Sequence, residues 1–127
     1  MKHLLLVALG GAIGSVARFK LSGLILHQAA HLKFPLGTFA VNILGCLLIG
    51  ILAGVAEKSG AFPLAWRVFL FTGILGGFTT FSAFGLETMI LLKSGELLIA
   101  LLYVTLSIVV GLVLMYGGFL FFRHLSW

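Results

Sequence analysis

Charge is what this chain has least of. Only 9% of its 127 residues are charged, aspartate is absent, and the acids are Glu57, Glu87 and Glu96. A soluble domain carries about a quarter charged residues, so too few are present here to clothe a water-facing surface. That scarcity excludes the soluble globular class and makes this an integral membrane protein. Cysteine is nearly absent as well, and the single Cys46 excludes an intramolecular disulfide. Set between glycine and leucine in an apolar run, it reads as a small packing residue. A formal net charge of +5 raises the question of nucleic acid, but the eight Lys and Arg are scattered and form no basic patch. They read as interfacial anchors. No nucleophile with a base, metal-ligand cluster or phosphate-cradling loop is visible, which argues against an enzyme.

What the chain does have is apolar length, with 61% of its residues hydrophobic. A bilayer core needs about 20 mostly apolar residues per helix, and four segments qualify, at roughly 4–26, 37–56, 66–92 and 97–122. The expected fold is therefore an all-α, single-domain bundle of four transmembrane helices. The N-terminal MKHLLLVALGGAIGSVARF has the basic start and apolar run of a signal peptide. Arg18 and Lys20 arrive before any clean small-residue cleavage site, so it is read as a retained first span. The connections HQAAHLKFP, EKSGAFPLA and KSGE hold turn formers and charges, as a water boundary requires. Trp66, Trp127 and Arg123 stand at span ends, where interfacial anchors belong.

Orientation normally follows the Lys and Arg count in the loops. Lys2, Lys58, Arg67 and Arg123 fall on the side of the termini and Lys33 and Lys93 on the other, joined by Arg18 and Lys20 if the later part of the first span counts with that side, which makes four against four. Either orientation is set by something the sequence does not display, or the chain inserts both ways and pairs as an antiparallel homodimer. The small size favours the second, because two copies provide an interface for a solute path. Glycine pairs four residues apart, Gly10 and Gly14, Gly50 and Gly54, and Gly73 and Gly77, allow helix backbones to approach closely in lipid.

Polar groups inside a span are costly and tend to mark function. Arg18, late in the first span, either snorkels to the headgroups or places a cation at a vestibule that draws anions. Asn42, in GTFAVNILG, is either interhelical glue or a source of N–H donors for a passing anion, with Thr38 one turn earlier on its face. Glu87 pairs with Arg18, sits protonated, or takes a structural hydrogen-bonding role. The stretch GGFTTFSAF, residues 76–84, is poor helix material, and predicts a third helix broken near its middle. Irregular backbone at membrane depth is tolerated where protein buries it or where it lines a cavity, and freed carbonyls suit a hard cation. Phe81 and Phe84 lie three apart among Thr79, Thr80 and Ser82. Aromatic ring edges are positive, so with amide and hydroxyl donors they favour a small anion. In the fourth span Tyr103, Thr105 and Ser107 add hydroxyls, Tyr103 and Ser107 being one turn apart.

GGAIGSVARF, GTFAVNILG and GILGGFTTFSAF, in that order across three spans, strongly resemble the Fluc (CrcB) family of fluoride channels. The resemblance covers nearly the whole chain. It implies an antiparallel, dual-topology homodimer with two pores, exporting F⁻ passively and selectively across the plasma membrane. It also implies a structural Na⁺ at the dimer interface, on the backbone carbonyls of Gly76 and Thr79. The pore phenylalanines correspond to Phe81 and Phe84, the pore asparagine to Asn42 and the vestibule arginine to Arg18. Thr80 and Ser82 then lie near the path, and Tyr103 and Ser107 continue it. The chain departs from the family pattern TTFSTF at Ala83, which removes one hydroxyl, and at Gly85, where a serine is usual.

Two other classes compete. A proton-coupled exporter of the small multidrug resistance type also has four short spans, but needs a carboxylate in its first span, where this chain has Arg18 and no acid. A purely structural membrane subunit would not call for Asn42, Phe81 and Phe84 together.

Overall fold

The computed structural model describes residues 1–60 and 62–125, and the anchor expected at Trp127 lies outside them. Helix α1 runs Lys2–Gln28 and α2 runs Leu36–Ser59. The third span is composite: α3, Leu64–Arg67, continues as a π-helix, Val68–Leu75, then as α4, Gly76–Phe78, and after two residues as α5, Phe81–Lys93. Helix α6, Leu97–His124, completes the bundle. The four apolar helical stretches, Lys2–Gln28, Leu36–Ser59, Leu64–Lys93 and Leu97–His124, are long enough to cross a membrane. Each agrees with the expected segments or outruns them by a few residues. The extra turns carry Lys2, His3, His27, Glu57 and Lys58, polar residues that continue a helix at the interface after the apolar run has ended.

Few side chains are buried within one chain: Val41, Ala56, Leu75, Phe78, Leu91, Ala100 and Tyr103 form the apolar interior. The outside is as greasy as the inside, with Leu5, Leu9, Phe19 and Leu98 well exposed. Water would not tolerate such a surface, but lipid does. For the same reason apolar burial does not drive these helices together; close packing does. The glycine pairs supply it. A Cβ on Gly50 would overlap the Met115 carbonyl oxygen, and one on Gly54 would lie 2.5 Å from that of Phe119. These contacts seat α2 on α6. Gly10 and Gly14 do the same for α1 against the third span, where a Cβ on Gly10 would come within 2.7 Å of the Phe69 carbonyl.

The π-helix has no counterpart in the sequence reading. It lies where α1 presses closest, with the Phe69 and Ile74 carbonyls against Gly10 and Gly14. Such i→i+5 turns are rare, usually single, and concentrate at functional sites.

The bundle ends are tied by charge. Lys33 pairs with Glu96 and joins the first connection to the third, while Arg123 Nε lies 3.2 Å from Glu57 Oε1 at the opposite end. Both pairs are solvent-facing and contribute little, about 0–1 kcal/mol each. They do place the first and third connections on one side, as four antiparallel spans require.

Candidate functional site

The site is built around two residues. Thr79 (φ −84°, ψ 158°) and Thr80 (φ −150°, ψ 110°) are extended, between α4 and α5. Extended backbone inside a bundle strands donors and acceptors, so where each goes can be followed. The Thr79 N–H and hydroxyl both donate to the Leu75 carbonyl, at 3.0 and 2.9 Å. The Thr80 N–H donates to Asn42 Oδ1 at 2.8 Å, and Asn42 Nδ2 donates back to the Thr80 carbonyl at 3.1 Å. Asn42 thus pairs with Thr80 as a neighbouring strand would. Thr80 Oγ1 then caps α5 by accepting from the Ala83 N–H at 3.2 Å, an interaction worth about 1 kcal/mol, and lies 3.4 Å from Ser82 Oγ.

This routing frees carbonyls from their helical donors, those of Gly76 and Thr79 among them. In a regular helix the Thr80 N–H would close on Gly76 and the Ala83 N–H on Thr79. The first goes to Asn42 and the second to the Thr80 hydroxyl. Gly76 and Thr79 line a cavity of about 340 Å³ that opens on one flank of the chain, together with Asn42, Gly45, Cys46, Thr80, Phe81, Phe84 and Ser107. Gly45 has no room for a side chain, since a Cβ there would overlap the Thr79 methyl. Phe81 is 84% exposed and its ring centroid lies 5.6 Å from that of Phe84. Ser107 Oγ is buried and has no hydrogen-bond partner. An unpartnered buried hydroxyl on a cavity wall is a ready donor.

Thr80 also lines a second cavity of about 370 Å³, with Ser15, Arg18, Ser22, Thr38 and Ala83. Arg18 forms no ion pair or hydrogen bond among the described residues. The two recesses therefore share Thr80 as a wall, Arg18 standing in one and Phe81 in the other. Ala83 also lines the second recess and brings no hydroxyl to it.

Glu87 is the residue whose position the sequence left most open. The structure gives it two hydroxyls and not Arg18: Thr38 Oγ1 donates at 2.6 Å and Tyr103 OH at 2.7 Å. Tyr103 is wholly buried, with its ring 5.1 Å from Phe84 and 5.3 Å from Phe34. Tyr103 and Ser107 share a helix face but serve different neighbours, the first turned to Glu87 and the second to the first cavity. Of the readings its place in an apolar span allowed, the hydrogen-bonding one is what the structure shows. Among the described residues no group of three His, Cys, Asp or Glu could hold a metal ion.

The family model described as CrcB-like protein, Camphor Resistance (CrcB), matches residues 5–119. The chain is 62% identical over 119 residues to a protein of Methylobacillus flagellatus named Fluoride-specific ion channel FluC, covering 94% of this chain and 93% of that one. It is 44% identical over 125 residues to a protein of the same name from Flavobacterium psychrophilum, covering 98% of this chain and all of the relative. With Fluoride-specific ion channel FluC 2 of Nitrobacter hamburgensis, identity is 40% over 122 residues, 96% of this chain and 98% of that one. Four apolar spans and bacterial relatives make this a multi-pass protein of the bacterial plasma membrane. The family model spans most of the sequence and the relatives span nearly all of it, so the chain belongs to the CrcB family.

Proposed function

We propose that this chain is a passive, selective fluoride channel that exports F⁻ as an antiparallel, dual-topology homodimer. The observation that carries the reading is the 62% identity, over 94% of the chain, to a protein named as a fluoride-specific channel. The geometry supports it. Fluoride is small and holds its water tightly, so a pore must offer donors in exchange. Candidate donors are the Thr80, Ser82 and Ser107 hydroxyls and the N–H of Asn42 not used on Thr80. The rings of Phe81 and Phe84 add positive edges, and Arg18 supplies a cation at the mouth. Tyr103, hydrogen-bonded to Glu87, backs Phe84 and fixes its position. No step calls for bond making, and the chain is not an enzyme.

One chain leaves this path open, since Phe81 projects from the surface and the first cavity is uncovered. A second, inverted copy would close it, consistent with the equal Lys and Arg counts on the two sides. It would also complete a cation site. The carbonyls of Gly76 and Thr79 are hard, neutral oxygens freed from helical donors, the type that suits Na⁺. Two are too few to replace a hydration shell, and a symmetric partner doubles them. When bound, the cation would hold the two interrupted spans together and supply fixed positive charge.

Proteoliposomes loaded with fluoride are expected to release it rapidly, while chloride-loaded vesicles retain their load. Equal release of both anions, or of neither, would sink the channel reading. The same vesicles prepared with N-methylglucamine in place of Na⁺ should release fluoride more slowly; an unchanged rate removes the cation from the proposal. Reporters fused to the C-terminus should be found on both sides of the membrane, and a single side would contradict dual topology.

A further inference from the structure

The end of the bundle that carries Arg123 holds a further recess of about 430 Å³, which shares Phe71 with the first cavity and is lined also by Ala53, Ala56 and Phe119 with Glu57 and Arg67 at its polar edge. Its charges are not balanced. Glu57 is engaged by Arg123 at 3.2 Å, and the Arg123 guanidinium is held over the Phe119 ring at 5.7 Å. Arg67 is exposed and its guanidinium has no ion pair or hydrogen bond among the described residues. Neutralising Glu57 with Arg123 leaves Arg67 as one uncompensated cation beside an apolar pocket. Its neighbour Trp66 is 54% exposed and packs edge-on to Phe69, the position of a tryptophan at headgroup level.

A bare inorganic anion would gain the charge of Arg67 but lose hydration against four apolar side chains. An amphiphile satisfies both parts of the recess. We propose that it seats an anionic phospholipid, with the phosphate diester on the Arg67 guanidinium and the upper acyl chain against Phe71 and Phe119. The planar fork of arginine matches two phosphate oxygens, which an ammonium does not. This site stands whether or not the chain conducts fluoride.

The test is lipid binding to the full-length protein in detergent, read by native mass spectrometry with phosphatidylglycerol and phosphatidylcholine. The wild type should retain phosphatidylglycerol in preference to phosphatidylcholine. Arg67→Gln should weaken the anionic lipid about fivefold, the contribution of one interfacial cation, and leave the zwitterionic lipid unaffected. Arg67→Lys should recover part of the preference. Lys93→Gln, at the opposite end, serves as the charge control and should change nothing. Undiminished phosphatidylglycerol binding by Arg67→Gln overturns the proposal. So does displacement of the lipid by inorganic phosphate at equal concentration, which would mark a free-anion site. A third overturning result is a fall in the dimer fraction of Arg67→Gln, which would make the recess a contact between copies. Equal loss of fluoride release from Arg67→Gln in both lipids would instead assign the recess to the anion route.

Discussion

Asn42→Ala is expected to reduce fluoride release by more than tenfold and to destabilise the chain by about 2–6 kcal/mol. The second figure follows from the pairing with Thr80. Removing the amide leaves the Thr80 N–H and carbonyl without partners, and Thr80 is only 9% exposed. Each unsatisfied buried group costs about 1–3 kcal/mol. The first figure needs only about 1.4 kcal/mol of lost stabilisation of the dehydrated ion, well within what a displaced Thr80 and a missing donor would remove. Asn42→Asp separates the two roles. It keeps an acceptor for the Thr80 N–H, so it should fold better than the alanine variant, yet it puts a carboxyl oxygen against the Thr80 carbonyl and into the anion path. Release should fall at least as far. Vesicle efflux with a fluoride electrode, together with thermal unfolding in detergent, reads both effects. Normal release from folded Asn42→Asp would leave Asn42 with a purely structural part.

Glu87→Ala is expected to be the most destabilising single change on α5, by about 2–4 kcal/mol. It strands the Thr38 and Tyr103 hydroxyls together, in an interior that no water reaches at Tyr103. The phenol cannot turn outward, because its ring is fixed between Phe34 and Phe84. Glu87→Gln keeps one carbonyl oxygen, and both hydroxyls are able to accept as well as donate, so most of the stability should return. Thermal unfolding of the two variants beside the wild type decides the matter. An alanine variant as stable as its parent would show that these bonds contribute no net stability.

The four spans were legible because apolar runs of membrane length, bounded by charged connections, leave no other reading. The glycine pairs were legible as close contacts but carried no address. Nothing in their spacing says that Gly50 and Gly54 meet Met115 and Phe119, or that Gly10 and Gly14 meet the π-helix. The site shows the same division. Asn42 and Thr80 each stood out as a polar residue in lipid, yet a sequence separation of 38 residues hides that they bind one another. Thr38 and Asn42, one turn apart on α2, were placed on one face, and that face reaches the third span twice, at Glu87 and at Thr80. Arg18 offered Glu87 a charge partner by sign alone, and hydroxyls already at hydrogen-bonding distance took its place. The π-helix left no trace because VFLFTGIL contains no residue that demands a wider turn; the packing of α1 against it is a tertiary fact.

The way the Thr79–Thr80 interruption satisfies its own donors bears on the order of assembly. The N–H groups of Thr79, Thr80 and Ala83 all find acceptors within the same chain, in Leu75, Asn42 and Thr80. A newly inserted chain therefore needs no second copy to hold this interruption open. What it still presents are the Phe81 and Ser82 N–H groups of the first turn of α5, as any helix start does, and the carbonyls on the other side of the interruption. In the dimer proposed above, each copy would therefore bring this segment to its partner already shaped, and association would join two finished surfaces.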